Sequence, residues 1–308
     1  MIVTSDTQVM NITCIGGGVM ASAFAVAQSA KHCVRIVPSR YDAQTVTQIQ
    51  ATNRDERLDC QWPKNIAFST ELVASDLIVI GVSAAGLDWA LEIARELLVL
   101  RSCPVLLLTK GLVPTKNGLT PLSVYLSQML NTPAFAITGP CIAKDLAHGM
   151  PTEVEISGED YHLAQSLSLL LGTPFYTIHA NRDYIGCQWA AALKNVYAIR
   201  VGMANGLNAR SAYYAEALAE MAGFVERNGG QYKTVMGLSG AGDLYVTSLG
   251  GRNGKFGGYL GRGMSAQAIF DGPMKAVTVE GYELAELLFP HTEKVSEPIF
   301  CSIIESFE

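Results

Sequence analysis

One lysine lies in the middle of an almost wholly apolar stretch, residues 183–200, DYIGCQWAAALKNVYAIR. A helix of this sequence would be apolar on nearly every face and therefore buried. Burying an ammonium is costly unless the group is paired or neutral, so Lys194 either reaches water from the helix edge or serves in chemistry. Asn195 follows directly and places a second polar group at the centre of the helix. We therefore predict that Lys194 is catalytic.

Composition narrows the classes of protein that could carry such a lysine. The chain has 308 residues, of which 49% are hydrophobic, and it contains 29 glycines. This profile suits a soluble, two-domain α/β enzyme with many tight backbone turns. The net charge is −6 and no run of lysines and arginines is present, which argues against nucleic-acid and membrane-surface binding. The longest apolar run, residues 77–82, is too short for membrane insertion.

Cysteine and histidine usage argues against a metal site and a disulfide framework. The seven cysteines include no CxxC pair, and the five histidines are far apart in sequence. The N-terminal residues have neither the basic flank nor the apolar centre of a signal peptide. We therefore expect a cytoplasmic protein with no bound metal.

A glycine-rich segment follows the first predicted strand, residues 11–15. Gly16, Gly18 and Ala21 form a GxGxxA pattern that also contains Val19 and Met20, and a helix is predicted over about residues 22–31. Gly16 would permit the tight turn and Gly18 the approach of a pyrophosphate, while Ala21 would keep the helix close to the sheet. The pattern predicts a dinucleotide-binding βαβ unit.

The end of the second predicted strand, residues 33–37, bears on the choice of cofactor. It is followed by Arg40, whose guanidinium suits the 2′-phosphate of NADP, and the nearest acid is Asp42. A solvated loop arginine explains Arg40 equally well. The sequence therefore predicts NAD or NADP and leaves the choice open.

Strands and helices alternate up to about residue 178, which predicts a Rossmann-type, mostly parallel sheet for residues 1–180. Further strands are predicted at 76–83, 104–108 and 134–138, with a helix at 89–99. Lys110 follows one strand end, where open α/β sheets bind ligands. Gly139 and Pro140 are expected to open a helix at another strand end, with Cys141 lining the site.

Residues 181–308 are expected to form an all-helical substrate-binding domain. A helix is predicted over about residues 209–228, with Glu216, Glu220 and Arg227 on a solvated face. The segment 238–257 contains six glycines and is predicted to be a loop and turn region around Asp243. Within it, Arg252 and Asn253 suit phosphate binding, although Arg252 could instead be a surface cation.

Six motifs occur in a characteristic order: LTKGL (108–112), GPxxAKxLxxGxPT (139–152), ALKNVxAIxxGM (192–203), AGDLxxT (241–247), GGRNxKFG (250–257) and VEGY (279–282). Together they resemble the NAD(P)-dependent glycerol-3-phosphate dehydrogenases of the soluble bacterial type. The resemblance covers about residues 11–290. It implies reversible reduction of dihydroxyacetone phosphate to sn-glycerol 3-phosphate, which feeds glycerophospholipid synthesis, and it leaves the oligomeric state open, with a homodimer as one alternative.

The same resemblance implies roles for individual residues. Lys194 would be the general acid/base, with Lys110 as a second catalytic lysine and Asp243 as the group that orders both Lys194 and the substrate hydroxyls. Substrate contacts would come from Gly139, Cys141, Asn195, Arg252 and Asn253, besides the two lysines and Asp243. Cofactor contacts would come from Gly16, Gly18, Val19, Met20, Ala21, Arg40, Lys110, Ala143, Arg252, Thr278 and Glu280.

The chain also departs from the family pattern. Met20 and Ala21 stand where the family usually has an aromatic residue and a glycine, and Ser83-Ala84 stands where it has serine-histidine. The segment at 202–209 is several residues shorter than usual. Two alternatives therefore remain: a dehydrogenase of the same plan for another small hydroxy compound, and an NAD(P)-binding sensor without turnover.

Overall fold

The computed structural model describes residues 8–116, 118–292 and 294–308. Two compact units are present. The first comprises the described chain up to Ile137 together with Cys141–Arg182, and the second comprises Thr138–Pro140 with Asp183–Glu308. The first unit contains a mostly parallel sheet with helices and the second is helical, so the predicted fold class is confirmed.

An eight-stranded sheet forms the centre of the first unit, in the order β12-β11-β10-β7-β6-β1-β2-β5. The strand pairs β1–β2, β1–β6, β2–β5, β6–β7, β7–β10 and β11–β12 are parallel. These strands are β1 (Asn11–Ile15), β2 (Cys33–Val37), β5 (Ile66–Phe68), β6 (Leu77–Ile80), β7 (Val105–Leu107), β10 (Ala134–Thr138), β11 (Thr152–Gly158) and β12 (Tyr176–Asn181). Two small antiparallel pairs complete the strands: β3 (Arg54–Asp55) with β4 (Cys60–Gln61), and β8 (Leu112–Thr115) with β9 (Gly118–Pro121).

The α-helices described in this unit are α1 (Val19–Gln28), α2 (Ala43–Thr52), α3 (Leu87–Leu100), α4 (Leu122–Leu130), α5 (Ala143–Ala147) and α6 (Tyr161–Leu171). Of these, α1, α3 and α6 pack on strands of the sheet. Strands β1, β2 and β10 have the predicted bounds. Helix α1 begins three residues earlier than predicted, because Gly18 already serves as its N-cap. The β8–β9 hairpin was not predicted, since Pro114 and Gly118 obscure its strand pattern.

A buried histidine ties the start of the first unit to its last helix. The Nδ1 atom of His32 accepts a hydrogen bond from the Met10 backbone N–H at 3.2 Å, and Nε2 lies 2.9 Å from the Leu170 carbonyl oxygen. The ring must therefore be neutral, with its proton on Nε2. Burial, aided by the charge of Lys31, lowers the pKa of His32 below its ordinary value of 6.5.

The free energy of unfolding should therefore fall when the pH drops below about 6.5, the unperturbed histidine pKa. Because the pKa of His32 is lowered in the folded state, its contribution to stability is complete above the unfolded-state pKa. That contribution is lost as the pH falls and His32 becomes protonated. A proton on Nδ1 also breaks the hydrogen bond from the Met10 N–H. Urea denaturation between pH 7.5 and 5 measures this. His32→Gln should show a smaller loss over the same range; an identical acid profile in the two proteins would contradict the expectation.

The second unit is built around one buried helix, α7 (Tyr184–Met203), which spans and extends the apolar stretch predicted from the sequence. Its N-cap is Asp183, whose carboxylate accepts hydrogen bonds from the N–H groups of Gly186 and Gln231 and from the Thr234 hydroxyl. The surrounding helices are α8 (Leu207–Arg227), α9 (Tyr232–Val235), α10 (Asp243–Gly250), α11 (Arg252–Leu260), α12 (Ala266–Asp271), α13 (Glu280–Leu288) and α14 (Pro298–Glu305). Of these, α8, α10, α11 and α13 pack most extensively on α7.

The predicted loop at 238–257 is helical, so that prediction was wrong. A short π-helical turn, Leu238–Gly242, leads into α10 and α11. The glycines allow close helix packing rather than loops, because a Cβ atom on Gly257 would lie 2.0 Å from the Ile199 carbonyl oxygen of α7. Just beyond this segment, a Cβ atom on Gly261 would lie 2.3 Å from the Met203 carbonyl oxygen. Glycine lowers helix propensity, which is why the pattern resembled a loop, but here backbone contact between helices requires it.

The predicted solvated face of α8 was also partly wrong. Glu220 is half-buried, accepts a hydrogen bond from the Tyr197 hydroxyl at 3.0 Å, and accepts bonds from the N–H groups of Ile299 and Phe300 at 2.7 Å. It therefore holds the first turn of α14, and burial raises its pKa. Arg227 forms an ion pair with the buried Glu297.

Candidate active site

Lys194 lies near the middle of α7 and is buried, with 8% of its surface exposed. Its Nζ atom donates hydrogen bonds to Asp243 Oδ1 at 2.9 Å and to Thr247 Oγ1 at 2.7 Å. Asp243 is also buried, so each charge of the pair compensates the other where solvent is scarce. The ammonium is thus held in a fixed position and does not extend from the helix edge into bulk water.

Thr247 was not singled out from the sequence. It lies four residues after Asp243, and on helix α10 that spacing brings both side chains to the same face, with their oxygen atoms 3.4 Å apart. The signal was present in the AGDLxxT motif. It was missed because the segment was assigned to a loop, where a spacing of four residues carries no meaning.

A second hydrogen-bonded group begins at Asn195, the residue after Lys194 on α7. Asn253 donates from Nδ2 to the Asn195 side-chain oxygen at 2.9 Å and accepts a hydrogen bond from the Gly281 N–H at the same distance. Both asparagines are buried. We call Lys194, Asn195, Asp243, Thr247 and Asn253 the lysine cluster; it joins α7, α10 and α11, and the bond to Gly281 fixes it to α13.

Arg252 and Glu280 form an exposed pair at the edge of the same unit. An Nη2 atom of Arg252 lies 2.8 Å from Glu280 Oε1, and about half of each side chain is accessible. Thr278 is exposed and lies two residues before Glu280, the first residue of α13. An exposed guanidinium next to the buried Asn253 can contact a ligand that reaches the lysine cluster.

The glycine-rich turn of the first unit fits the phosphates of a dinucleotide. Gly16 has a φ of +95°, and a Cβ there would lie 2.6 Å from Val82 Cγ1. Helix α1 begins at Val19 and its N-cap, Gly18, provides no side-chain hydrogen bond to the first turn. Free N–H groups at a helix N-terminus are suited to bind phosphate oxygens. Ala21 packs closely on the sheet, because a Cβ atom added to Gly81 would lie 2.6 Å from the Cβ atom of Ala21.

Two side chains fix Gly17 in the centre of this turn. Asp42 Oδ2 accepts from the Gly17 N–H at 3.0 Å and from the backbone and hydroxyl of Ser39 at 2.7 Å. Arg57 donates to the Gly17 carbonyl at 2.8 Å and to the Ser22 hydroxyl at 3.0 Å. Arg57 was missed because no spacing rule connects residues 17 and 57 in sequence.

The remaining predicted residues are placed as follows. Arg40 is exposed and contacts Tyr41 through its hydroxyl and ring. Lys110 is half-buried and lies three residues beyond β7.

Cys141 Sγ lies 3.9 Å from Met20 Sδ, and Ala143 begins α5, which packs against α1. Gly139 has a φ of +107°, which favours glycine. Gly139 and Pro140 do not open a helix as predicted, because α5 begins only at Ala143.

Sequence comparison decides the family. A model of the N-terminal part of NAD-dependent glycerol-3-phosphate dehydrogenase matches residues 11–164, and a model of the C-terminal part matches residues 183–307. The chain belongs to this family. It is 31% identical to the NADP(+)-dependent glycerol-3-phosphate dehydrogenase of Archaeoglobus fulgidus, over 93% of this chain and 91% of that protein. It is also 31% identical to glycerol-3-phosphate dehydrogenase [NAD(P)+] of Thiobacillus denitrificans, over 85% and 82% of the two chains.

Solved structures of the family share the fold. The crystal structure of glycerol-3-phosphate dehydrogenase from Coxiella burnetii aligns with a TM-score of 0.80 at 24% identity and covers 97% of this chain and 95% of that one. The enzyme from Plasmodium falciparum aligns with a TM-score of 0.84 at 22% identity, covering 97% and 91%.

Three further observations concern the described residues as a whole. None of the seven cysteines forms a disulfide bond. No group of three or more His, Cys, Asp or Glu side chains among residues 8–116, 118–292 and 294–308 could hold a metal ion. Within the same ranges, every helix is too short or too polar to cross a bilayer.

Proposed function

We propose that this chain catalyses the reversible, NAD(P)H-dependent reduction of dihydroxyacetone phosphate to sn-glycerol 3-phosphate. The observation that supports this most directly is the buried Lys194, held by Asp243 and Thr247 in a chain of this family. When bound, the nicotinamide cofactor supplies the hydride for C2 of the substrate. The product would feed glycerophospholipid synthesis.

Lys194 is proposed to act on the C2 oxygen. Negative charge develops on this oxygen during reduction, and an ammonium stabilises it and can protonate it. Asp243 and Thr247 hold Nζ in one position, so that little reorganisation is needed in the transition state. In the oxidation of glycerol 3-phosphate the neutral lysine would accept the hydroxyl proton. Lys110 is proposed as the second site lysine.

The phosphate of the substrate is proposed to bind to Arg252 and Asn253. A guanidinium offers a planar pair of donors that matches phosphate oxygens, and Asn253 is already oriented by Asn195 and Gly281. Further substrate contacts are proposed for Gly139 and Cys141. The glycine-rich turn with Val19 and Met20, together with Ala143, Thr278 and Glu280, is proposed to contact the cofactor.

Arg40 is proposed to bind the 2′-phosphate of NADP. Asp42, the acid that could instead bind a ribose hydroxyl, is hydrogen-bonded to Gly17 and Ser39. Arg40→Ala should lower kcat/KM for NADPH about tenfold or more, since a charge-assisted hydrogen bond contributes roughly 1.5–3 kcal/mol, and should change kcat/KM for NADH less than about twofold. Steady-state kinetics with both cofactors measures this. Equal losses with the two cofactors would contradict a 2′-phosphate contact.

The activity is tested by following NADH or NADPH oxidation at 340 nm with dihydroxyacetone phosphate as substrate. Turnover of dihydroxyacetone phosphate, and not of dihydroxyacetone or other small ketones, is the expected result. Turnover of a non-phosphorylated ketone alone would indicate another dehydrogenase of the same plan. Cofactor binding without turnover of any substrate in the panel would indicate a sensor.

We also propose a cytoplasmic location and a homodimer. Seven cysteines that form no disulfide among the described residues suit a reducing compartment. Sedimentation velocity of the purified chain tests the dimer, and a species of about 33 kDa alone would exclude it.

A further inference from the structure

A recess of about 610 Å³ lies on the helical unit, close to where α7, α10 and α11 end. None of the five residues of the lysine cluster lines it, although their neighbours Ser248 and Gly254 do. The volume is in the range of sites for small ligands. We call it the basic recess and define it by six of its lining residues: Asn205, Arg210, Ser248, Lys255, Tyr259 and Arg262.

The charges of the basic recess are all positive. Its lining contains three cationic side chains, Arg210, Lys255 and Arg262, and no carboxylate. In the part of the chain that the structure describes, none of the three lies within 4.0 Å of a carboxylate oxygen. The Nε atom of Arg210 is buried and has no hydrogen-bond partner there. An unsatisfied buried donor is costly, so an acceptor supplied by a ligand would be stabilised at this position.

The ends of the surrounding helices do not explain this charge. A helix C-terminus carries about half a negative charge, and nearby cations are often stabilised by it. The three formal positive charges of Arg210, Lys255 and Arg262 exceed the partial negative charges of three helix C-termini. Within the described residues, moreover, none of these cations donates a hydrogen bond to a carbonyl oxygen. Arg210 lies near the N-terminus of α8, where the helix dipole adds to the positive potential.

We propose that the basic recess is a second anion site that binds a phosphate group, separate from the proposed substrate site. The guanidinium groups of Arg210 and Arg262 can each bind two phosphate oxygens, and Lys255 contributes a point charge. Tyr259 holds the Arg262 guanidinium over its ring, with 4.6 Å between the guanidinium carbon and the ring centroid. The site is inferred from this unit alone and does not depend on the reaction proposed above.

The test is isothermal titration with inorganic phosphate at fixed ionic strength, since the binding is electrostatic. The titrations use full-length Arg252→Gln, which weakens the proposed substrate phosphate site. Into this background we would introduce Lys255→Gln with Arg262→Gln, two exposed positions that should not disturb folding. The matched control introduces Lys233→Gln with Lys275→Gln, which removes the same charge from exposed positions that do not line the recess.

Loss of Lys255 and Arg262 should weaken phosphate binding at least tenfold, whereas the control pair should change it less than twofold. Equal affinities in the two triple variants, with circular dichroism spectra like that of the wild type, would overturn the proposal. An absence of phosphate binding by Arg252→Gln would overturn it as well. Because no turnover is measured, failure here is distinguishable from failure of the dehydrogenase assay.

A phosphate group could reach the recess on a free small molecule or on a lipid headgroup. Sedimentation with phosphatidylglycerol vesicles, against phosphatidylcholine vesicles as control, separates these sources. We expect phosphate binding without sedimentation, because the lining includes the buried residues Ser248 and Gly254. Sedimentation with phosphatidylglycerol that is lost in Lys255→Gln/Arg262→Gln would assign the same phosphate chemistry to a headgroup.

Discussion

Lys194→Met should lower kcat for dihydroxyacetone phosphate by about 10³-fold or more, because general acid–base catalysis contributes roughly 10²–10⁴-fold and electrostatic stabilisation roughly 10²–10³-fold. Methionine keeps the approximate length of the side chain but removes Nζ and its hydrogen bonds to Asp243 and Thr247. Cofactor binding, measured by fluorescence titration with NADH and NADPH, should change little, because Lys194 is not among the residues proposed to contact the cofactor.

The same substitution leaves Asp243 buried without its cation, so the single variant should also lose about 3 kcal/mol or more of unfolding free energy. Lys194→Met/Asp243→Asn removes both charges and should recover most of that stability. If the double variant is stable and still inactive, the loss of activity reflects the missing ammonium–carboxylate pair and not a damaged fold. Activity within tenfold of the wild type in either variant would contradict the proposed role of Lys194. Lys233→Met, at an exposed position in the same unit, is the control for a generic lysine change.

The position of Lys194 could be predicted because a charged residue in an apolar helix is a local property of the sequence. Helix α7 and strands β1, β2 and β10 were predictable for the same reason, since short-range periodicity and glycine placement determine them. The fold class and the glycine-rich turn followed from the order of these elements.

Contacts between distant segments could not be predicted. Arg57 reaches the carbonyl of Gly17, and Glu220 holds the first turn of α14, and in neither case does the local sequence indicate the partner. The glycines of 238–257 were misinterpreted because glycine is common both in loops and where two helices pack closely. Only the position of α7 in the folded structure shows that these glycines belong to a close helix contact. Thr247 was not recognised as a site residue for the same reason, although it lies four residues after Asp243, a spacing that places both side chains on one face of a helix.

Gly257→Ala should lower the free energy of unfolding by about 3 kcal/mol or more, at the upper end of what overpacking costs in a core. The new methyl group would lie 2.0 Å from the Ile199 carbonyl oxygen and 2.8 Å from its carbon, both backbone atoms of α7 that cannot rotate away. Helices α7 and α11 must then separate, which displaces Asn253 from Asn195, so kcat/KM should fall as well. Urea denaturation followed by tryptophan fluorescence is suitable, because Trp189 is buried in α7.

The neighbouring Gly258 is the matched control, because it lies on the same helix but leaves room for a methyl group. A Cβ atom there would lie 3.6 Å from the Gly202 carbonyl oxygen, an ordinary contact distance. Gly258→Ala should therefore leave stability unchanged or raise it by up to about 1 kcal/mol, the difference in helix propensity between the two residues. Equal effects of the two substitutions would mean that α11 does not pack on α7 through Gly257. The glycines would then have to be explained by flexibility, and the fixed geometry of the lysine cluster would lose its structural basis.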